Sequence, residues 1–224
     1  MDLQAAIRAL EAHKNERGME HFAKLELEGL NSFGLGLGQI KKVAKTVGKD
    51  HELALQLWHS DNYDAKILSI FVEEAKKVDR AQVETQVAGL VHWGLANAYV
   101  KNLLSKVKFR EELAIEWAES GDDMQRRVAF LLLSGMGKSK RTDDFFLPYI
   151  QRIEKELQSE ENFVKEAMNN TLFYLGQRSK TLNEACISAA QNIGPVHVEY
   201  GDNSCEPVDV IKHLTGDRIQ AKFS

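Results

Sequence analysis

An all-α protein built from stacked helical pairs is what this sequence predicts, and three observations predict it. Apolar residues recur at helical spacing through most of the chain. The 3 prolines stand at positions 148, 195 and 207, so nothing before Pro148 is interrupted by the residue that most strongly breaks helices. Helical hairpins with the same punctuation recur at a near-constant interval later in the chain.

Composition sets the bounds. With 224 residues the chain can bury one sizeable core or form a short repeat array. Apolar residues make up 43% and charged residues 28%, as in ordinary folded proteins. The formal net charge is −4, so nucleic-acid binding has to come from a local patch and not from the whole surface. Cys186 and Cys205 make neither a disulfide framework nor a cysteine zinc site, and they fit a reducing compartment. The N-terminal MDLQAAIRALEAHKNERGME is amphipathic and carries acids, unlike a signal peptide. No apolar run is long enough to span a bilayer, so the expected location is cytoplasmic.

Taken in order, residues 2–14 place Leu3, Ala6, Ile7 and Leu10 on one helical face. His21 to Leu30 is expected to form a second helix. The glycine-rich GLGLGQ, Gly34 to Gln39, has no preceding strand or βαβ unit and is read as a flexible lead-in to a helix, not as a phosphate loop. That helix, QIKKVAKTVGK, turns Ile40, Val43, Ala44 and Val47 inward. It carries Lys41, Lys42, Lys45 and Lys49 with no acid among them, a basic face suited to phosphates. Asp50 caps a helix holding Leu53, Leu57 and Trp58. Asp61 and Asn62 break it, and Ala65 to Ala75 resumes with Ile67, Leu68, Ile70 and Phe71 inward.

The resulting hairpin is repeated at ELAIEWAESGDDMQRRVAFLLL and again at RIEKELQSEENFVKEAMNNTLFYL. An apolar residue ends each first helix (Trp58, Trp117, Leu157), an acidic turn follows, and Tyr63, Met124 or Phe163 opens the second. Trp117 to Leu157 is 40 residues and Met124 to Phe163 is 39, while Trp58 to Trp117 is 59, which leaves an atypical unit around Trp93. A period near 40 made of helix pairs is the signature of HEAT-type repeats, expected to stack into a curved solenoid with a concave inner row of helices. In that register Lys66, Arg127 and Glu166 are equivalent, with Arg126 beside Lys165. Between Asn97 and Arg141 nine Lys or Arg, Lys101 among them, meet six acids that cluster in one helix and its turn, so a basic concave face is expected.

After Gly176 a further helix is expected from Thr181 to Ile193, ended by Gly194-Pro195. Residues 1–194 are thus expected to form the repeat domain and 195–224 a tail that alternates briefly and closes in one short helix. His197, Asp202, Cys205 and His213 match no standard zinc spacing, so no metal is expected. None of the seven histidines lies in a nucleophile elbow or beside a plausible cysteine partner. His92 is expected to face away from Trp93, at the surface or against a phosphate.

HELALQLW (His51 to Trp58), the following DAKIL, NFVKEA with Leu175-Gly176, and the ending VEYGDNSC resemble, in their order and spacing, the DNA alkylation repair enzyme family of AlkD-like proteins. The resemblance spans roughly residues 34–214. It implies a HEAT-like solenoid gripping duplex DNA and, in active members, excision of cationic N3- or N7-alkylated purines without a cofactor. The family's site pairs two Trp, one Asp and one Arg. These positions fall on Trp93, on Asn97 in place of the Asp, on Arg127 (or Arg126 if the register slips by one), and on Asn170 in place of the second Trp.

The substitutions bear directly on the chemistry. An alkylated purine is already a cationic leaving group, so what needs stabilising is positive charge building on the sugar, and a fixed carboxylate does that. Asn97 offers a dipole instead, and losing one well-placed electrostatic group costs about 3–4 kcal/mol, two to three decades in rate. The resemblance therefore implies a DNA-binding protein for damaged or distorted duplex with weak or absent glycosylase activity, and a capped solenoid is expected to be a monomer. Its DNA contacts would be Lys41, Lys42, Lys45, Lys101, Arg126, Lys165 and Asn170, around Trp93, Asn97 and Arg127. Two alternatives stay open: an active glycosylase in which Glu84, Asp122 or Asp123 supplies the carboxylate, and a protein-binding helical scaffold.

Overall fold

Side-chain caps decide where most helices of this chain begin. The structure, a computed structural model, describes residues 1–201 and 204–223. The described chain divides into two compact units, Met1–Lys108 and Phe109–Ser224. The first holds α1 (Leu3–Glu11), α2 (Glu16–Ala23), α3 (Leu37–Val47), α4 (His51–Trp58), α5 (Tyr63–Val72), α6 (Arg80–Ala88) and α7 (Trp93–Asn102). The second holds α8 (Arg110–Ala118), α9 (Asp123–Gly135), α10 (Leu147–Glu156), α11 (Asn162–Leu175), α12 (Lys180–Ile193), α13 (Val210–Leu214) and α14 (Asp217–Gln220). Asp2, Asn15, Asp50, Asn62, Asp79, Asp122, Ser179 and Asp209 each accept a hydrogen bond from a backbone N–H in the first turn they precede. Among the described residues there is no strand, only one isolated bridge between Asn31 and Asn62.

Capping also explains where the sequence reading slips. The second helix forms at Glu16–Ala23, earlier than the expected His21–Leu30, because Asn15 caps it and the chain turns at Glu26, which has a positive φ. The glycine run is not merely a flexible lead-in. Helix α3 starts inside it at Leu37, and Gly34 sits at φ 72 against the first turn of α2. A Cβ on Gly18 would stand 2.1 Å from the Gly34 carbonyl oxygen, and one on Gly34 would stand 2.3 Å from the Met19 nitrogen. Two glycines let two backbones touch there.

In the first unit α5 is central, packing against α3, α4 and α7. Leu57, Leu68, Ile70 and Leu95 are buried to 1% exposure or less, each worth about 1.5–3 kcal/mol over an exposed position. Buried Asp64 fastens the 32–35 loop to the start of α5: its carboxylate accepts from the Ser32 hydroxyl at 2.8 Å and the Phe33 N–H at 2.6 Å. Burial raises its pKa in spite of those bonds. At the other end of α5, Glu73 accepts from His51 at 2.7 Å and Gln82 at 2.9 Å.

In the second unit α9 lies between α8 and α11, and α11 also packs on α12 and α13. The buried Thr171 hydroxyl donates to the Phe130 carbonyl at 2.8 Å, tying α11 to α9. Helix α10, whose Ile150 and Ile153 are buried, packs more on α12 than on its hairpin partner α11. Among the described residues of the tail none pairs as a strand. Asn162 and the Glu199 backbone exchange two hydrogen bonds of 2.8 Å, and Gln158 donates to the Ile193 and Pro195 carbonyls. Two short helices, not one, follow, and their Val210, Leu214 and Ile219 are buried. No helix among the described residues is long and apolar enough to cross a membrane.

Candidate nucleic-acid interface

The two units carry the candidate residues separately. In the first, Trp93 is the first residue of α7, where no preceding turn covers it, and it is half-buried. Trp58 and Trp117, by contrast, are 4% and 2% exposed and belong to the core. Asn97 stands one turn after Trp93 on the same helical face and is also half-buried.

His92 does not face away from Trp93 as expected. It is the cap residue of α7, its Nδ1 accepting from the Gly94 N–H at 3.2 Å, so it lies outside the helical register that the expectation used. Its ring centroid is 5.2 Å from Trp93 and 6.1 Å from Tyr63, and Phe22 lies 5.1 Å beyond Tyr63. The result is an aromatic row, Phe22–Tyr63–His92–Trp93, running across the N-terminal ends of α5 and α7. Burial, with the Asp64 charge next, pushes the Tyr63 hydroxyl up to about 12, so it stays a neutral phenol. Lys41, Lys42 and Lys45 are exposed on α3, and Lys101 is exposed in the last turn of α7. Lys66 is used internally: it donates to the Trp58 carbonyl and lies 5.5 Å from the Trp58 ring, and burial lowers its pKa.

In the second unit Arg127 is turned inward. Its side chain is 1% exposed and pairs at 2.8 Å with Glu166, itself 9% exposed. It also donates to the Phe163 carbonyl and lies 5.4 Å from the Phe163 ring. Asn170, one turn after Glu166 on α11, donates to the other Glu166 oxygen at 3.4 Å. One carboxylate therefore joins the two positions that the resemblance assigns to this half of a site. Burial, then the Glu166 charge, pushes the Tyr200 phenol of the tail up to about 12. Arg126, expected to meet phosphate, is held instead by Glu160 through Nε and at 2.8 Å through its second terminal nitrogen, and also by Asp123 and the Ser120 carbonyl. Those bonds, Glu160 first, raise its pKa. Lys165 is half-buried beside Glu166.

The carboxylates considered as stand-ins have other partners. Glu84 pairs with Arg80 at 2.7 Å, Asp122 caps α9, and Asp123 pairs with Arg126. Sequence reasoning set Glu166 in register with Arg127 but did not pair the two, although the 39-residue offset from Arg127 and the four-residue spacing to Asn170 both pointed to it. It also missed Phe22 and Tyr63, whose only signal was an aromatic residue at a helix boundary. Among the described residues no three His, Cys, Asp or Glu side chains converge as a metal site requires. Asp202, in the resemblance motif and in the set weighed against zinc, lies outside the described residues.

Comparison with known proteins sets this geometry in context. The profile of the family described as DNA alkylation repair enzyme matches residues 3–200. Lin0241 of Listeria innocua, an uncharacterized protein, is 30% identical over 190 residues, 84% of each chain. Lmo0209 of Listeria monocytogenes, also uncharacterized, is 27% identical over 198 residues, 87% of each chain. A solved structure from a new family of proteins related to the HEAT-like repeat DNA glycosylases, with affinity for branched DNA structures, superposes with a TM-score of 0.81 at 21% identity. That match covers 99% of this chain and 94% of the other. The fold is accordingly a HEAT-like helical repeat, and the chain belongs to the DNA alkylation repair enzyme family.

Proposed function

We propose that the protein binds damaged or distorted duplex DNA and has weak or absent N-glycosylase activity. The observation that carries this reading is the pairing of a half-exposed Trp93, set in an aromatic row, with Asn97 one turn later where active relatives are expected to hold a carboxylate. An indole beside a strained backbone grips an exposed base or sugar through its face, at roughly 1–3 kcal/mol per stacked base. Without a charge beside C1′, the oxocarbenium-like transition state goes without its main stabiliser. Glu166 is a poor replacement, because it is buried and already neutralised by Arg127.

Lys41, Lys42, Lys45, Lys101 and Lys165 are the proposed phosphate contacts, each adding to a steep salt dependence of binding. The affinity for branched DNA described for the structural relative places junctions among the distorted forms to be tried. The test is abasic-site formation in duplex carrying 7-methylguanine. The wild type should give little above background, and Asn97→Asp should raise the rate by about a hundred- to a thousandfold. Turnover by the wild type equal to that of an aspartate-bearing relative defeats the inactive part of the proposal. Failure to bind any duplex at low salt favours a protein scaffold instead.

A further inference from the structure

Beside the buried face of α3, Lys41, Ala44 and Lys45, with Gly48 just past the helix end, stand at the spacing that aligns side chains along a helix. With Lys49 and Phe71 these residues line a recess of about 330 Å³, the size of a small-ligand pocket. The floor is the half-exposed ring of Phe71, near the end of α5. Ala44 and Gly48 leave the space above it open: a Cβ at Gly48 would meet nothing within 4 Å, and its φ of 82 disfavours any other residue. Lys49 is fixed at the edge, its amine donating to the Phe71 carbonyl at 2.9 Å and the Glu73 carbonyl at 2.7 Å. Burial, and then the charge of Lys106, lowers the Lys49 pKa, with the charges of Glu73 and Glu74 opposing more weakly. The nearest carboxylates are engaged elsewhere, Glu73 by His51 and Gln82, and Glu74 by Lys77.

We propose that this recess is a second nucleic-acid contact that takes one unpaired nucleotide, its base stacked on Phe71 and its phosphate held by Lys41, Lys45 and Lys49. The inference rests on the DNA-binding reading above and deepens it by naming a single-stranded segment as the element bound here. Phosphate contact to a duplex needs only amines on a ridge. An aromatic floor inside a lysine rim has a use only for a base that is free of its partner, since paired bases present their edges and not their faces. Lys41 now rests its amine 5.4 Å from the Phe71 ring centroid. It is exposed and flexible, and a base stacks on the ring more strongly than an exposed ammonium does, so the amine yields the face and turns to the phosphate. Phe71 lies eight residues beyond Tyr63 on α5, about 12 Å along the axis from the aromatic row. A strand leaving a branch or a frayed lesion can thus meet both.

The test is fluorescence anisotropy at low salt with a labelled dT oligomer of about twelve nucleotides and with a duplex of matched length. Phe71→Ala and Phe71→Leu should each weaken single-strand binding about tenfold and duplex binding less than twofold. Lys41→Glu with Lys45→Glu should weaken both and lower the salt slope by about two. Wild-type single-strand affinity in both Phe71 variants, or an equal loss for single strand and duplex, overturns the recess. So does Phe71-dependent capture of an acidic peptide with no binding of single-stranded DNA. Binding of duplex alone removes this inference and leaves the proposed function standing, whereas binding of neither removes both.

Discussion

Trp93 and Arg127 are the two positions at which the chain keeps the residue types its resemblance assigns to a site, and the fold treats them oppositely. Trp93 opens a helix, is half-exposed, and extends a row of rings drawn from three separate segments. Arg127 is inside its helical pair, 1% exposed and closed onto Glu166. An indole needs only one polar N–H satisfied, so it tolerates a half-open seat. A guanidinium drawn under a helix must be neutralised and hydrogen-bonded where it sits, and the same carboxylate that does so also reaches Asn170. Register fixes an address in a repeat protein. What the residue does at that address depends on what stands one repeat away.

The sharpest way to break this comparison is to remove the buried guanidinium. Arg127→Met leaves Glu166 buried without its cation, which should destabilise the protein by about 3–5 kcal/mol. For a chain of this size that lowers the melting temperature by roughly 10 °C in circular dichroism. Arg127→Met combined with Glu166→Leu should recover most of the loss, because a well-packed apolar pair replaces a buried ion pair at little net penalty. If the single variant melts within about 2 °C of the wild type, Arg127 is not the scaffold element described here.

Trp93 should behave in the converse way. Trp93→Ala removes a half-buried ring from a helix start, so its effect on stability should stay near 1 kcal/mol. Its effect on affinity for distorted duplex should be about tenfold, from the lost stacking surface. A variant that unfolds while the surviving folded fraction binds DNA normally makes Trp93 a core residue like Trp58 and Trp117, and the contrast disappears.

Much of this was legible in the sequence, and the reasons for the remainder are physical. Apolar periodicity located α4, α5, α8 and α9 to within a few residues, with Asp50, Asn62 and Asp122 marking the starts of all but α8, because capping and period are local signals. The second helix was misplaced since its apolar spacing continues past the point where a positive φ at Glu26 turns the chain. The glycine run was read as slack because a backbone-to-backbone contact with Gly18 has no signature within the run itself. At the candidate site the resemblance identified Trp93, Asn97, Arg127 and Asn170, but long-range pairing decides whether a cation faces outward. Glu160 and Glu166, more than thirty residues away from Arg126 and Arg127, carry that information.

The closure around Arg127 can also be followed through the tail. Burial, and next the neighbouring Glu166 charge, which opposes a phenolate, together hold the Tyr200 phenol high, up to about 12. Arg127 works against this, more weakly. Glu166→Gln deletes the second-largest cause and leaves the arginine, so the Tyr200 pKa should fall, while the part due to burial stays. Ring-carbon NMR of Tyr200 across an alkaline titration reads the shift, with Glu166→Asp as the charge-preserving control that should leave the phenol high. A Tyr200 titration unmoved by Glu166→Gln would mean that the tail does not cover the ion pair, and Arg127 would then be closed from within its own helices alone.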